Sequence, residues 1–404
     1  MLRTDGWEAG IPEERAEFFY RKALEASEEL IIDNAGLYRL YDLNTDKVEN
    51  FYEALTKKNE NNPEVIFVKD YDGTNILNNF TETVIPRSMR VSGGSHVGPS
   101  LNLVEQFETA DGQVRPLKTV AGETEPEPTD PIEELKSTDR YVVYDSPSDL
   151  FADRDPRLEG TILVPGSSFR NQELQLWAGL AIKHIAEMED LTSADESKYL
   201  YDGRQITGAD GPHISFRSPN PEQVTGTGFL LRKYVDSKAG SEMMGQSDLA
   251  FCRFRYAEVL LNAAEAAWEL GEKAKAADYL NEVRRRAGIR EIEPDEITGY
   301  ETFLRERTAE FAFEGLRFYD LKRFRIADKL FDGQADTETA LIYGLWPYKV
   351  YAPGDPDDGK WIFRRIHNTK RKFPLWFQTK NYYASIDQSV LNNNPLLVKN
   401  PYQE

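Results

Sequence analysis

Apolar residues recur at helical spacing most densely in residues 249–326. In residues 249–271, the first part of this stretch, apolar side chains stand three and four positions apart, which predicts one apolar helix face. Residues 272–288 repeat the pattern, and each part ends at a glycine, as helices commonly do. Because the connection is so short, the two helices should lie antiparallel and resemble one tetratricopeptide unit. The predicted apolar faces consist of Phe254, Ala257, Leu261, Ala264 and Trp268, followed by Ala276, Leu280, Val283 and Ala287.

The third part of the stretch, residues 301–324, alternates charged and aromatic side chains. Charges at such spacing usually pair along or between helices, so we interpret them as structural ion pairs. An arginine cluster that binds an anion is the alternative, although structural networks are the commoner source of such clusters. The charged residues are Arg305, Arg307, Arg317 and Arg323, with Glu306, Glu310 and Glu314.

Outside this stretch, residues 13–32 and 46–55 have the apolar periodicity of helices. Turn-forming residues dominate much of the rest, with short predicted strands at 64–68, 161–164 and 228–234. We therefore predict a mainly α protein that forms a single domain with four parts. These are tetratricopeptide-like helices at 1–60, a loop-rich lobe containing short strands at 61–248, the central helical scaffold at 249–330 and a loop-rich C-terminal part at 331–404.

The charge balance narrows the class of partner. The chain of 404 residues carries 49 basic and 69 acidic residues, which gives a net charge of −20. A surface of this sign repels polyphosphate and anionic lipid, so we expect no nucleic-acid partner and no electrostatic attraction to anionic lipid. Cys252 is the only cysteine, so no intrachain disulfide can form, and we expect it to be a small buried residue of a helix. No apolar run has the length of a membrane span, and the first ten residues carry no signal-peptide apolar region.

Sequence motifs of catalysis and metal binding are absent. The chain has neither a phosphate-binding Gly-x-x-x-x-Gly-Lys-Ser/Thr loop nor a zinc-binding His-Glu-x-x-His motif, and its four histidines are scattered. Asp42, Asn44, Asp46 and Glu53 match part of a calcium loop, but Lys47 stands where the turn requires glycine, and Asp46 also suits a helix N-cap. Among 69 acidic residues, no carboxylate pair stands out for glycoside hydrolysis. We therefore predict no metal, no cofactor and no enzyme activity.

Several stretches, in order along the chain, resemble the signatures of the SusD/RagB family of outer-membrane nutrient-binding lipoproteins. The most specific is residues 306–324, which read Glu-Arg-x-x-Glu-Phe-Ala-Phe-Glu-Gly-x-Arg-x-Tyr-Asp-Leu-x-Arg-Phe. Residues 254–266 and 277–288 are similar to the central helical signature of the family. Weaker similarities lie at residues 99–112, at the Asp-Pro-Arg motif within 153–157, and at the C-terminal stretches 373–375 and 394–402.

This resemblance implies a SusD-like fold, in which tetratricopeptide-like helix pairs support a loop-rich lobe that carries the ligand surface. It implies non-catalytic capture of a glycan (in some members a peptide) at the cell surface and delivery to a TonB-dependent SusC-type transporter. It also implies a location at the outer membrane, facing the exterior, through an N-terminal lipid anchor that is absent from this chain. Family members begin with a signal peptide, a lipidated cysteine and further helices, so we expect the N-terminal part to be missing here.

The family signatures contain no ligand residues, so candidates must come from the chemistry of sugar binding. Sugars stack on aromatic faces while polar side chains fix their hydroxyls. We therefore select aromatic residues predicted to lie on loops, with packing in the core as the alternative for each one. A tetratricopeptide adaptor that binds a protein or peptide, including peptide capture for import, is the second hypothesis, and a helical glycoside hydrolase is the third. The candidate ligand-binding residues are Trp177, Tyr199, Tyr201, Trp346 and Trp361.

Overall fold

The structure is a computed structural model that describes residues 13–58, 62–122, 140–182, 200–201, 203–205, 207–212, 225–334, 340–367 and 373–402. Its helices are α1 (Ala16–Glu28), α2 (Lys47–Thr56), α3 (Phe80–Val84), α4 (Leu101–Val104), α5 (Arg157–Thr161), α6 (Tyr256–Glu269), α7 (Lys273–Ala287), α8 (Tyr300–Glu310), α9 (Arg317–Arg323), α10 (Ala327–Leu330) and α11 (Gln388–Asn393). Its strands are β1 (Val65–Lys69), β2 (Ile162–Leu163), β3 (Ser168–Phe169), β4 (Gln172–Glu173), β5 (Gly179–Ile182), β6 (Leu200–Tyr201), β7 (Arg204–Gln205), β8 (Leu230–Leu231), β9 (Phe251–Arg255), β10 (Tyr343–Tyr351) and β11 (Trp361–His367).

The helices α6 and α7 form the predicted pair. Small side chains such as Ala264 and Ala276 are fully buried in one apolar core, which lets two helices approach closely. The backbone of Gly288 is left-handed, with φ of 80°, and its N–H donates to the carbonyls of Arg284 and Arg285, which closes α7. Leu24 of α1 joins the same core. The mainly helical fold with a tetratricopeptide-like helix pair and short strands is therefore confirmed.

The start of this pair differs from the prediction. The helical pattern extends back to Phe254, but α6 begins at Tyr256, and the preceding residues form β9, antiparallel to β1. Cys252 and Arg255 are buried while Arg253 is exposed, and the register of β9 against β1 shifts at Arg253, so both buried side chains can turn inward despite their three-residue spacing. Tertiary pairing has overridden local helix propensity here. Cys252 is buried as expected, but in a strand rather than a helix.

Residues 301–324, the third part of the stretch with helical spacing, are divided into α8 and α9. Phe313 and Gly315 between them have left-handed backbones, with φ of 64° and 84°, which ends regular α-helix. The carbonyl of Glu310 at the end of α8 accepts hydrogen bonds from Lys233 at 3.0 Å and Arg255 at 2.9 Å. Side chains from elsewhere in the chain thus satisfy the backbone where the helix stops.

Residues 331–404, predicted to be loop-rich, contain β10 and β11, the longest strands of the described chain, with 9 and 7 residues. They form an antiparallel hairpin, and β5 pairs in parallel with the other side of β10. Strand β10 was not predicted because it contains Pro347, and proline usually argues against a central strand. Pairing with β5 begins only at Tyr348, so the N–H that Pro347 lacks is not needed there. The division of the chain into four parts stays a prediction.

A buried network of ion pairs joins the helical scaffold to the strand-containing lobe. Glu310 contacts Arg157 on α5 at 2.9 Å, Arg255 on β9 at 2.6 Å, and Arg286 on α7. All four side chains are at most 2% exposed. Burial alone would raise the pKa of Glu310, but the three guanidinium groups outweigh it and hold the pKa well below its ordinary value.

Most of the charged residues in the 301–324 signature are structural, as predicted. Glu306 pairs with Arg157 and with Arg284 of α7, at 2.6 and 2.8 Å. Glu314 pairs with Lys233 and Arg255. Arg317 is different, since it donates to the hydroxyl of Thr308 at 2.7 Å. The remaining pairs are Arg305 with Glu108, Arg307 with Asp320, and Arg323 with Glu265 and Asp320.

Candidate ligand-binding surface

The pairing of β10 with β11 places Lys349 directly opposite Trp361. On its other side, Lys349 is in register with Leu180 of β5, so it occupies the central strand of the sheet. The backbone of Trp361 is also held by Tyr144, through N–H to carbonyl hydrogen bonds of 2.8 and 2.9 Å in both directions. Both residues are therefore fixed by the sheet, and both side chains are partly exposed.

The Lys349 ammonium lies between two tryptophan rings. Its Nζ atom is 5.1 Å from the ring centroid of Trp361 and 5.3 Å from that of Trp177. The two rings are 6.3 Å apart and meet edge to face at 80°. These distances are within the range of cation–π attraction. The Nε1 atom of Trp177 donates to the side chain of Gln175 at 3.0 Å, which orients the indole.

A second cation lies over a neighbouring aromatic ring. The Arg204 guanidinium on β7 is 4.8 Å from the ring centroid of Tyr351 and donates to Asp358 at 2.6 Å. The hydrogen bond from Arg204, with a second from the N–H of Ala352, lowers the pKa of Asp358. Trp177, Tyr351 and Trp361 belong to one apolar cluster. We call the set of Trp177, Arg204, Lys349, Tyr351, Asp358 and Trp361 the Trp361 patch.

A close-packed loop holds Trp177 in place. A Cβ atom on Gly208 would lie 2.0 Å from the carbonyl oxygen of Gln175, and one on Gly211 would lie 2.2 Å from the carbonyl oxygen of Trp177. Only glycine therefore fits at these two positions. Asp210 between them is buried and accepts hydrogen bonds from the backbone and hydroxyl of Ser88, at 2.9 and 3.0 Å. The rigid backbone around Trp177 preorganises the patch.

The chemistry of the Trp361 patch suits binding. Two partly exposed side chains, Trp361 and Lys349, offer an aromatic face and a charged donor, and Arg204 and Asp358 add polar groups at the edge. Over the described residues, no group of three or more His, Cys, Asp or Glu side chains could hold a metal ion. Within those same ranges, no helix combines the length and the apolar character needed to cross a bilayer.

The partial calcium loop has its oxygens engaged in other contacts. Asp46 is the N-cap of α2 and accepts hydrogen bonds from the N–H groups of Val48 and Glu49. Asp42 pairs with Lys47 at 2.9 Å, and Glu53 accepts a hydrogen bond from the hydroxyl of Tyr41. The expected capping role of Asp46 is confirmed.

The five predicted ligand residues have different positions. Trp177 and Trp361 contact each other, while Tyr201 on β6 pairs through its backbone with Arg204, which belongs to the same patch. Trp346 is 2% exposed on the opposite face of β10, where its Nε1 donates to the carbonyl of Gly226. Tyr199 lies outside the described residues.

The expectation that Tyr201, Trp346 and Trp361 lie on loops is wrong, since all three are strand residues. The side chains of a strand alternate between faces, and this alternation sends Trp346 into the core and Trp361 to the surface. Trp177 is also buried, at 4% exposure, so Trp361, which is partly exposed, is the more accessible tryptophan of this patch. The ligand-binding role of the five residues stays a prediction.

Sequence reasoning missed several residues at or near the surface. Lys349, Tyr351, Arg204 and Asp358 were not selected from the sequence. A predicted strand at this position would have placed Lys349 and Tyr351 on one face, because residues two apart on a strand share a face. Strongly exposed aromatic residues also occur in the C-terminal segment, where Trp376 is 69% exposed. Trp376 is therefore an independent candidate for stacking and a useful control.

A second candidate site is a cavity of about 460 Å³ in the helical scaffold. It is lined mainly by apolar side chains of α1, β9 and α6, including Ala23, Ala26 and Phe254. Its polar groups are engaged, because Glu265 pairs with Arg323. The cavity could hold an apolar side chain of a bound peptide, and it offers little to a sugar.

These features define a class of proteins in which a tetratricopeptide-like helix pair supports a lobe of short strands with an aromatic surface. The sequence profile of the SusD family matches residues 63–402. The chain belongs to that family, as the signatures indicated.

Individual relatives agree with this assignment. A SusD-like protein from Bacteroides fragilis has a similar structure, with a TM-score of 0.59 at 20% identity over 96% of this chain and 63% of that chain. A SusD-like carbohydrate binding protein from the same species has a TM-score of 0.58 at 22% identity, over 94% and 61% of the two chains. SusD-like protein P2 of Formosa agariphila is 36% identical over 98 residues, or 21% of this chain and 19% of that protein. The chain therefore spans less than two thirds of the length of each of these relatives.

Proposed function

We propose that this protein captures a glycan at the cell surface without cleaving it and delivers it to a TonB-dependent transporter of the SusC type. Membership of the SusD family supports this proposal. The single observation that carries the glycan part is the Trp361 patch, in which a fixed, accessible indole stands beside charged and polar groups. Aromatic faces with a few well-placed polar groups are the usual means of sugar recognition.

The same proposal includes the cellular setting. The protein would act at the outer membrane, facing the exterior, and would be held there by an N-terminal lipid anchor. The transporter would be its protein partner. Co-purification from a cell that expresses the full-length lipoprotein with its transporter tests this part, and recovery of the lipoprotein alone in gentle detergent would contradict it.

The glycan part is tested by affinity electrophoresis and calorimetry on a panel of polysaccharides. Trp361→Ala should weaken binding by about 1–2 kcal/mol, or roughly five- to thirty-fold, as expected for a stacking residue in a binding hot spot. Trp376→Ala is the matched control, because it removes an exposed indole outside the patch. Loss of binding in the control variant alone would move the site to the C-terminal segment.

A peptide-binding adaptor, including peptide capture for import, remains the second candidate because of the apolar cavity in the scaffold. Ala23→Trp should fill the cavity from its exposed side, whereas Glu25→Trp adds the same bulk elsewhere on α1. Peptide binding that is lost in the first variant and kept in the second would favour the adaptor. Peptide binding that both variants retain would reject the cavity as its site.

A further inference from the structure

We propose that the glycan taken by the Trp361 patch is anionic, and that the Lys349 ammonium binds its carboxylate or sulfate group. This inference rests on the proposed glycan-binding function and adds the substrate class. It starts from the charge state of the patch rather than from its aromatic rings.

Lys349 has no carboxylate partner among the described residues, and its contacts are the two tryptophan rings. The neighbouring cations are paired: Arg204 with Asp358 at 2.6 Å, and Lys360 with Asp145 at 3.1 Å. The patch therefore keeps one net positive charge, at Lys349. In a chain with 69 acidic and 49 basic residues, a carboxylate partner would be easy to supply.

The sheet register fixes the position of the Lys349 side chain beside Trp361. It lies on the central strand, in register with both Trp361 and Leu180, so its ammonium is held beside the accessible indole. Tryptophan faces attract the ammonium without neutralising it, and they replace part of its water. A partly desolvated cation without an anion forms stronger charge-assisted hydrogen bonds to an incoming anionic group than a fully hydrated one.

The geometry gives the Trp361 indole and the Lys349 ammonium different roles in binding. A sugar ring stacked on Trp361 buries its C–H face there, and the substituents on its rim come within reach of an ammonium 5.1 Å from the ring centroid. Carboxylate and sulfate groups are such rim substituents of acidic sugars. Stacking would then supply the binding that all glycans share, while Lys349 would discriminate between charged and neutral ones.

The test compares matched oligosaccharides that share a backbone and differ in one group: neutral, carboxylated or sulfated. The wild-type protein should bind at least one anionic form about ten-fold more tightly than the neutral form at low salt, and the preference should shrink as salt rises. Lys349→Met keeps an unbranched side chain against the indoles but removes the charge. It should abolish the preference, whereas Lys349→Arg should retain the preference.

Lys360→Met is the control, because it removes a neighbouring cation that already has carboxylate partners. Equal wild-type affinity for neutral and anionic forms, or a preference that survives in Lys349→Met, would overturn this inference and leave glycan capture standing. Absence of binding to every glycan, with an intact fold by circular dichroism, would overturn both. The carboxylated and sulfated arms identify which anion is bound.

Discussion

Substitution of Glu310 tests whether the buried network holds the scaffold and lobe together. Glu310→Gln nearly preserves volume but removes the negative charge shared by Arg157, Arg255 and Arg286. The variant would place amide hydrogens against guanidinium groups that are themselves donors only. Three buried cations would then lose their common partner. Arg157 would keep Asp155 at 2.7 Å, and Arg255 and Arg286 would share Glu64, at 2.5 and 3.2 Å.

The magnitude follows from the burial of the network. Removing one partner of a fully buried ion pair typically costs about 3–5 kcal/mol, because an uncompensated charge stays in the interior. Unfolding entropy is about 2.1 cal/mol/K per residue, so for a chain of 404 residues each kcal/mol lowers the melting temperature by about 1.2 °C. Glu310→Gln should therefore melt about 4–6 °C below the wild type.

Differential scanning calorimetry measures this shift, with Glu17→Gln as the control. Glu17 pairs with Arg21 at 2.9 Å, but both side chains are more than half exposed, so the pair is screened by water and its loss should leave the melting temperature unchanged. Equal melting temperatures for Glu310→Gln and Glu17→Gln would refute the reasoning. That outcome would mean that the arginines find other partners at no cost.

Three further predictions concern pH, packing and capping. Ion pairing holds the pKa of Glu310 well below its ordinary value despite burial. The contribution of its carboxylate to stability is therefore fully present above the unfolded-state pKa of about 4.3 and is lost as the pH falls towards the folded-state pKa. The wild type should thus lose stability below about pH 4 more steeply than Glu310→Gln. Gly211→Ala places a Cβ 2.2 Å from the carbonyl oxygen of Trp177 and should shift tryptophan fluorescence and lower the melting temperature, whereas Gly122→Ala, with open space around it, should do neither. Asp46→Ala removes the N-cap of α2 and should lower the free energy of unfolding, measured with urea, by about 1 kcal/mol. Asp46→Ser should lower it less, because serine can also cap a helix.

The helical scaffold could be predicted because its determinants are local. Apolar residues at three- and four-residue spacing define α6 and α7, and Gly288 with its left-handed backbone marks the end of α7. The start of α6 could not be located in this way. Phe254 fits the helical pattern, but pairing of β9 with β1 and the ion pairs of Arg255 decide its strand conformation, and both depend on residues far away in the chain.

The candidate site could be predicted only in part, because it is assembled from separate segments. Trp177 and Trp361 were selected for their chemistry, and the sheet brings them together. Lys349 was not selected, since its place beside them depends on the register of a hairpin that Pro347 concealed. Register also separates Trp361 from Trp346, two residues with the same chemistry whose side chains lie on opposite faces.

The residues that identify the family and those that form the patch are physically distinct sets. Glu306 and Glu310, which belong to the most specific signature, are buried among arginines and cannot reach a ligand. Lys349 and Trp361 take no part in that network and lie at the surface. A change in the network should therefore alter stability without altering ligand preference, and a change in the patch should do the reverse. This separation allows one scaffold to carry different ligand surfaces, so the signature cannot specify the ligand.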